Sequence, residues 1–192
     1  MSINEILEYI GTLIKFDHAY DLGCGHYLKS SYLYPTNEIV GVDVKQEVLG
    51  GVRHAYTSTH LNYTFICDDM LHYVDEYFRP YSHHSSVVVL CDSLEHLTQN
   101  DADALLAMLA KHPALYTIIF CPENQVGYNT ADGRYDIHQS FWTESMLQNH
   151  GFNSFLLPHY HGTNKRAILA VKGFSTEIIT KLEKLVNANF NI

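Results

Sequence analysis

"AYDLGCGHY", residues 19–27, sets an aspartate and two glycines directly behind a short apolar stretch. Glycine lacks the Cβ that would hold a ligand away, so a glycine turn leaving a strand lets backbone approach a bound molecule and aims the amides of a following helix at it. The dinucleotide fingerprint needs a third glycine three residues after the second. That position is Leu28, which argues against a nicotinamide or flavin dinucleotide.

Outward from this turn, apolar runs of strand length recur at 19–22, 38–44, 63–67, 86–91 and 116–121, with helix-like segments between them. Val87–Leu90 carries no polar alternation, which marks a strand covered on both faces of a parallel sheet. Two more strands, within 154–160 and 166–172, form an antiparallel hairpin at the sheet edge. The pattern predicts an α/β fold: a doubly wound, mostly parallel seven-stranded sheet with helices on both faces and that edge hairpin. One domain covers residues 1–192, with an N-terminal helix over 1–16, a core over 17–171 and a C-terminal helix over 174–192. Asn100 or Asp101 caps a helix running toward His112, and another starts at a Thr143 cap and stops at Gly151. Between the fifth strand and that helix, Glu123 to Ser140 is longer than connectivity requires and reads as a substrate lid.

Composition bounds the partners. The formal charge is −9 with only 12 Lys and Arg, too few basic groups for a large nucleic-acid footprint. No apolar run approaches the roughly 18–20 residues of a membrane span, and the N-terminus lacks signal-peptide features, so a cytoplasmic location is expected. Cys24, Cys67, Cys91 and Cys121 show no CxxC pairing and are expected as free, small, buried side chains in a reducing compartment. Thirteen histidines raise the question of a metal, but His83–His84 and His159 with His161 bring no cysteine or carboxylate at zinc spacing. No metal is expected. The sequon at Asn62 is discounted because it opens a strand read as buried.

DLGCG at 21–25, with the acidic strand end VGVD at 40–43, resembles motifs I and II of the class I S-adenosylmethionine-dependent methyltransferases. FICDDM at 65–70, VVVLCDSLEHL at 87–97 and IIFCPEN at 118–124 resemble, in order, that family's third-, fourth- and fifth-strand segments. The resemblance implies a Rossmann-like methyltransferase fold over roughly 17–171 and S-adenosyl-L-methionine as cofactor. It gives Gly23 and Gly25 to close backbone approach, Asp21 to the methionine amino group and Asp43, with Val44 beside it, to the ribose hydroxyls. It gives Asp68, Asp69 and Met70 to the adenine, and Cys91, Asp92 and Leu94 to its far side. Taken singly, Asp43 also fits a strand-end turn and Asp68–Asp69 a helix cap.

Tyr27 departs from the family, many of whose members carry glycine there. Either it points away, toward solvent or substrate, or it fills part of the methionine pocket. On the acceptor side the resemblance implies Glu95, His96 and His138 as catalytic groups, with Glu123, Asn124, Tyr27 and Trp142 toward the substrate. The alternatives are a helix-start carboxylate, packing histidines and a Trp142 staple for the next helix. The expected activity is methyl transfer to a hydroxyl or amine of a small or sugar-like molecule. The competing expectation is a catalytically silent fold that binds a nucleoside ligand or a partner subunit.

Overall fold

The computed structural model describes residues 1–34, 36–56, 62–79, 85–112, 115–124, 137–158, 160 and 165–190. Helix α1 (Ile3–Leu13) begins at a reciprocal Ser2–Glu5 capping box and buries Ile3, Ile6, Leu7 and Ile10, the spacing of one helical face. It stops three residues short of the expected boundary. Ile14 is already extended because Phe16 must pair with Thr36 at the start of β1 (Phe16–Leu22).

The chain continues through β2 (Thr36–Asp43), α2 (Gln46–Tyr56), β3 (Asn62–Cys67), α3 (Met70–Glu76), β4 (Ser86–Cys91), α4 (Gln99–Leu109) and β5 (Tyr116–Pro122). It closes with α5 (Glu144–Asn149), β6 (Asn153–Leu157), β7 (Ala167–Lys172) and α6 (Thr176–Phe190). The sheet order is β3-β2-β1-β4-β5-β7-β6. The first five strands are parallel, and β7 runs antiparallel to both β5 and β6. This is the expected doubly wound sheet with its edge hairpin. Strand β6 ends before Pro158, which has no N–H to give a ladder.

Each face carries its own core. On one, Ile6, Leu7 and Ile10 of α1 and Leu182 and Val186 of α6 cover Ile39, Val87, Val89, Ile118 and Leu169. On the other, Tyr73, Leu105 and Leu147 from α3, α4 and α5 cover Tyr20, Val40, Val88, Leu90 and Ile119. Strand β4 is buried at every residue, as its unbroken apolar run requires.

Three local expectations change. Thr98 caps α4, accepting from Asp101 N at 3.3 Å while its hydroxyl donates to the Asp101 carboxylate at 2.7 Å. Strand β3 lies at the sheet edge, so Asn62 and Cys67 are exposed rather than buried. Helix α6 spans 176–190 within the expected 174–192.

Strand order reverses between β1 and β4, and the loops leaving their carboxyl ends diverge there. In open α/β sheets that crevice is where ligands bind.

Candidate active site

A cleft of ≈ 790 Å³, counting its solvent-open mouth, sits at this switch point, lined from the ends of β1 to β4. The glycine turn is stapled to β2. Gly23 and Cys24 donate their amides to Val42 O at 2.8 and 3.0 Å, and Gly25 donates its amide to Asp43 Oδ2 at 2.9 Å. The other carboxylate oxygen of Asp43 accepts from Lys45 N at 2.9 Å. Asp43 therefore holds two loops at the cleft, and each of its oxygens retains a second lone pair.

Both glycines are in the left-handed region, at φ +70 and +55. A Cβ on Gly23 would stand 2.6 Å from Ser93 Cβ and 3.0 Å from Met70 Cε, whereas one on Gly25 would meet nothing within 4 Å. Gly23 thus lets the walls from β3 and β4 close, and Gly25 leaves the cleft open. The dinucleotide-type helix does not follow. Lys29–Leu33 is a short 3₁₀ turn, with Leu28 buried against Gly41 and the Ser30 amide turned to Asp21 at 2.8 Å. The Ser-Ser-Tyr composition favours helix weakly, and Pro35 stands just beyond.

The sequence-derived residues separate into three groups. Gly23, Gly25, Asp43, Val44, Asp68, Asp69, Met70, Asp92 and His96 line the cleft. Within it Asp69 also caps α3, accepting from Leu71 and His72 amides, and Asp68 pairs with the His72 ring at 2.9 Å. The helix-cap alternative holds for Asp69. Burial pushes the Asp92 carboxyl up to about 6, opposed by Lys29 and His138.

A second group lies behind the wall. Asp21, only 1% exposed, gives one oxygen to the Ser30 amide and hydroxyl and so secures the turn rather than facing the cleft. Burial pushes it up to about 6 against those hydrogen bonds. Leu94 and Cys91 are buried in the two cores instead of lining the cofactor side. Trp142 is fully buried, packed in the core with Leu94 and Leu147, its Nε1 donating to Ser140 Oγ at 3.1 Å. It is a packing residue with no face for a substrate, because the indole fills the space between α5 and the sheet.

The third group gathers around His96. Ser140 and Gln139 donate their amides to Glu95 O at 3.1 and 2.8 Å, and Gln139 Nε2 donates to His96 O at 2.7 Å. This lacing brings His138 against Glu95 and His96. Its ring centroid lies 5.1 Å from that of His96, and its Nε2 is 4.0 Å from Glu95 Oε1. Burial, reinforced by the Asp92 charge, holds the Glu95 carboxyl well above its ordinary range.

Tyr27 is 70% exposed and is not among the cleft-lining residues, so the obstructed-pocket alternative fails. Glu123 is engaged by Arg166 at 2.5 Å, and Asn124 is exposed with φ 51, its amide donating to Trp142 O at 3.0 Å. Within the expected lid, residues 125–136 lie outside the described residues, as do His83, His84, His159 and His161. Sequence reasoning missed His26, Lys45, Val48 and Leu97, which also line the cleft. Each directly follows or flanks a motif residue or lies a helical turn beyond one, and that adjacency was the available signal.

The model of the methyltransferase domain family matches residues 19–113, just under half of the chain and the part that builds this cleft. Over that stretch the chain is similar to the methyltransferase domain family. Solved structures agree on the fold. A methyltransferase from Clostridium acetobutylicum matches with a TM-score of 0.58 at 16% identity, over 90% of this chain and 91% of its own. The 1,6-didemethyltoxoflavin-N1-methyltransferase of Burkholderia thailandensis matches at 0.60 and 15%, over 90% and 77%. The N-methyltransferase NodS of Bradyrhizobium japonicum with S-adenosyl-l-homocysteine matches at 0.63 and 11%, over 88% and 83%. No curated protein matches the chain. The described residues include no helix long and apolar enough to cross a membrane.

Proposed function

We propose that the protein transfers the methyl group of S-adenosylmethionine to a hydroxyl or amine of a small or sugar-like acceptor. One observation carries this reading: a single cleft has a glycine turn, strand-end carboxylates and the Met70 thioether among its walls together with His96, whose ring packs against that of His138. When bound, the cofactor supplies an electrophilic methyl on a positively charged sulfur.

Asp43 accepts from the ribose hydroxyls with its free lone pairs, a charge-assisted contact that a strand end holds in place. Asp68 and Met70 frame the adenine. Asp92 and the acidic balance of the cleft favour a cationic sulfur over a neutral one. The acceptor's hydroxyl proton passes to an imidazole nitrogen of His138 or His96 as its oxygen bonds the methyl carbon and the carbon–sulfur bond breaks. An amine that is already neutral needs no base to attack. Only 12 basic residues in the chain argue for a metabolite over a nucleic acid.

The test is titration calorimetry with S-adenosylmethionine and S-adenosylhomocysteine, followed by a metabolite and sugar screen that reads release of S-adenosylhomocysteine. Failure to bind either nucleoside would overturn the reading. Binding without turnover would favour the silent-fold alternative. His138→Ala should leave S-adenosylhomocysteine affinity within about threefold while slowing transfer by ~10² or more.

A further inference from the structure

Glu95, His96 and His138 come from two separate segments, yet one ligand-type atom of each lies within 4.8 Å of the other two. We propose that they form a binding site for a divalent transition-type ion, Zn²⁺ or Mn²⁺ in character, at the acceptor end of the cleft. This deepens the methyltransferase reading and rests on it for the identity of the acceptor.

The spacing fits an ion better than it fits direct contacts. Glu95 Oε1 and His138 Nε2 are 4.0 Å apart, too far for a hydrogen bond. Three atoms at the corners of a 4.8 Å triangle stand about 2.8 Å from its centre. Metal–imidazole and metal–carboxylate bonds measure about 2.0–2.2 Å, so each side chain has to move inward by well under 1 Å.

A second observation points the same way. The Glu95 side chain is only 2% exposed, and among the described residues its Oε2 has no hydrogen-bond partner. A buried carboxyl oxygen without a partner requires an explanation, and an ion supplies one. Outer contacts orient the ligands as well. The Nδ1 of His96 lies 3.4 Å from Ile137 O, and because a carbonyl only accepts, Nδ1 carries the proton and Nε2 presents its lone pair. Gln139 and Ser140 tie the Glu95 and His96 backbones to the segment that carries His138.

Two imidazoles and one carboxylate suit borderline transition ions and not the all-oxygen sites of calcium or magnesium. Three protein ligands leave a position open, and His96 is a wall of the cleft. That position selects an oxygen acceptor. A hydroxyl bound to the ion loses its proton to solvent near neutral pH and keeps lone pairs. One of these forms the oxygen–methyl bond while the carbon–sulfur pair stays on sulfur. An amine would spend its only lone pair on the metal. With an ion in place the imidazoles act as ligands, and the metal-bound oxygen supplies the acidity.

The experiment uses the full, tag-free chain stripped with a chelator and titrated with Co²⁺, reading visible d–d absorption, with Zn²⁺ as competitor. One equivalent should bind, displaced by Zn²⁺. Glu95→Gln and His138→Ala should each weaken Co²⁺ binding by at least about tenfold, as ligand loss requires. S-adenosylhomocysteine affinity, measured on the same variants, should stay within about threefold and reports that they are folded. His150→Ala removes a histidine paired with Asp103 at 2.9 Å, outside the cluster, and should bind Co²⁺ as the parent does. No Co²⁺ binding by a parent chain that binds S-adenosylhomocysteine overturns the site, as does binding that survives both ligand variants or falls equally in His150→Ala. If S-adenosylhomocysteine does not bind but one Co²⁺ does, and circular dichroism shows the variants folded, the metal site stands and the methyltransferase reading fails.

Discussion

The Asp43 carboxylate reaches from the end of β2 to accept the Gly25 amide at 2.9 Å, so the residue read as a ribose ligand is also the clasp of the glycine turn. Ligand binding and loop order are therefore coupled at one side chain. Asp43→Ala should weaken S-adenosylmethionine binding by about 1–3 kcal/mol, the range for losing a charge-assisted hydrogen bond. Asp43→Asn keeps one acceptor and should lose less. Calorimetry on both variants checks the order, and equal loss in the two would show that charge rather than acceptor geometry dominates.

Gly23→Ala should cost both stability and affinity. Its Cβ would stand 2.6 Å from Ser93 Cβ at a backbone φ of +70, so the strain and the clash act together. A loss of about 1–3 kcal/mol in urea unfolding is expected, with a larger fractional loss in cofactor affinity because Ser93 and Met70 are cleft walls. Gly25→Ala meets open space and should spare the core, since only its φ is unfavourable.

Tyr27→Gly should leave S-adenosylmethionine affinity within about 1 kcal/mol, because the ring is 70% exposed and away from the cleft. A large gain in calorimetry would mean the ring swings inward in solution.

Asp21 gives the protein a pH signature. Its folded pKa of about 6 exceeds the ordinary 3.8, so the folded state holds the proton more tightly than the unfolded chain. The stability tied to that proton is fully present below about 4 and is lost as pH rises through about 6. Between pH 5 and 7.5 this group alone should lower stability by about 1.4 kcal/mol. Asp21→Asn, which cannot ionise, should flatten that part of the curve. Urea titrations of parent and variant at the two pH values measure the difference, and identical slopes would refute the assignment.

Sequence alone determined the sheet. The unbroken run at Val87–Leu90, the strand-length runs around it and the punctuation at Thr143 and Gly151 are local signals, because apolar periodicity and helix capping are read from neighbours close in the chain. The lining of the cleft was legible from strand ends: Gly23, Gly25, Asp43, Asp68 and Asp92 all sit there, and a parallel sheet brings strand ends together. What followed the glycine turn was not legible, since a 3₁₀ turn or a helix depends on whether Leu28 finds space against Gly41. Only tertiary structure sent Trp142 inward and Tyr27 outward. Both are amphipathic rings, and packing volume rather than composition decides which side they take. The same holds for Glu95, His96 and His138. Their meeting depends on Gln139 and Ser140 hydrogen-bonding to the Glu95 carbonyl, a contact between positions more than forty residues apart that no local pattern encodes.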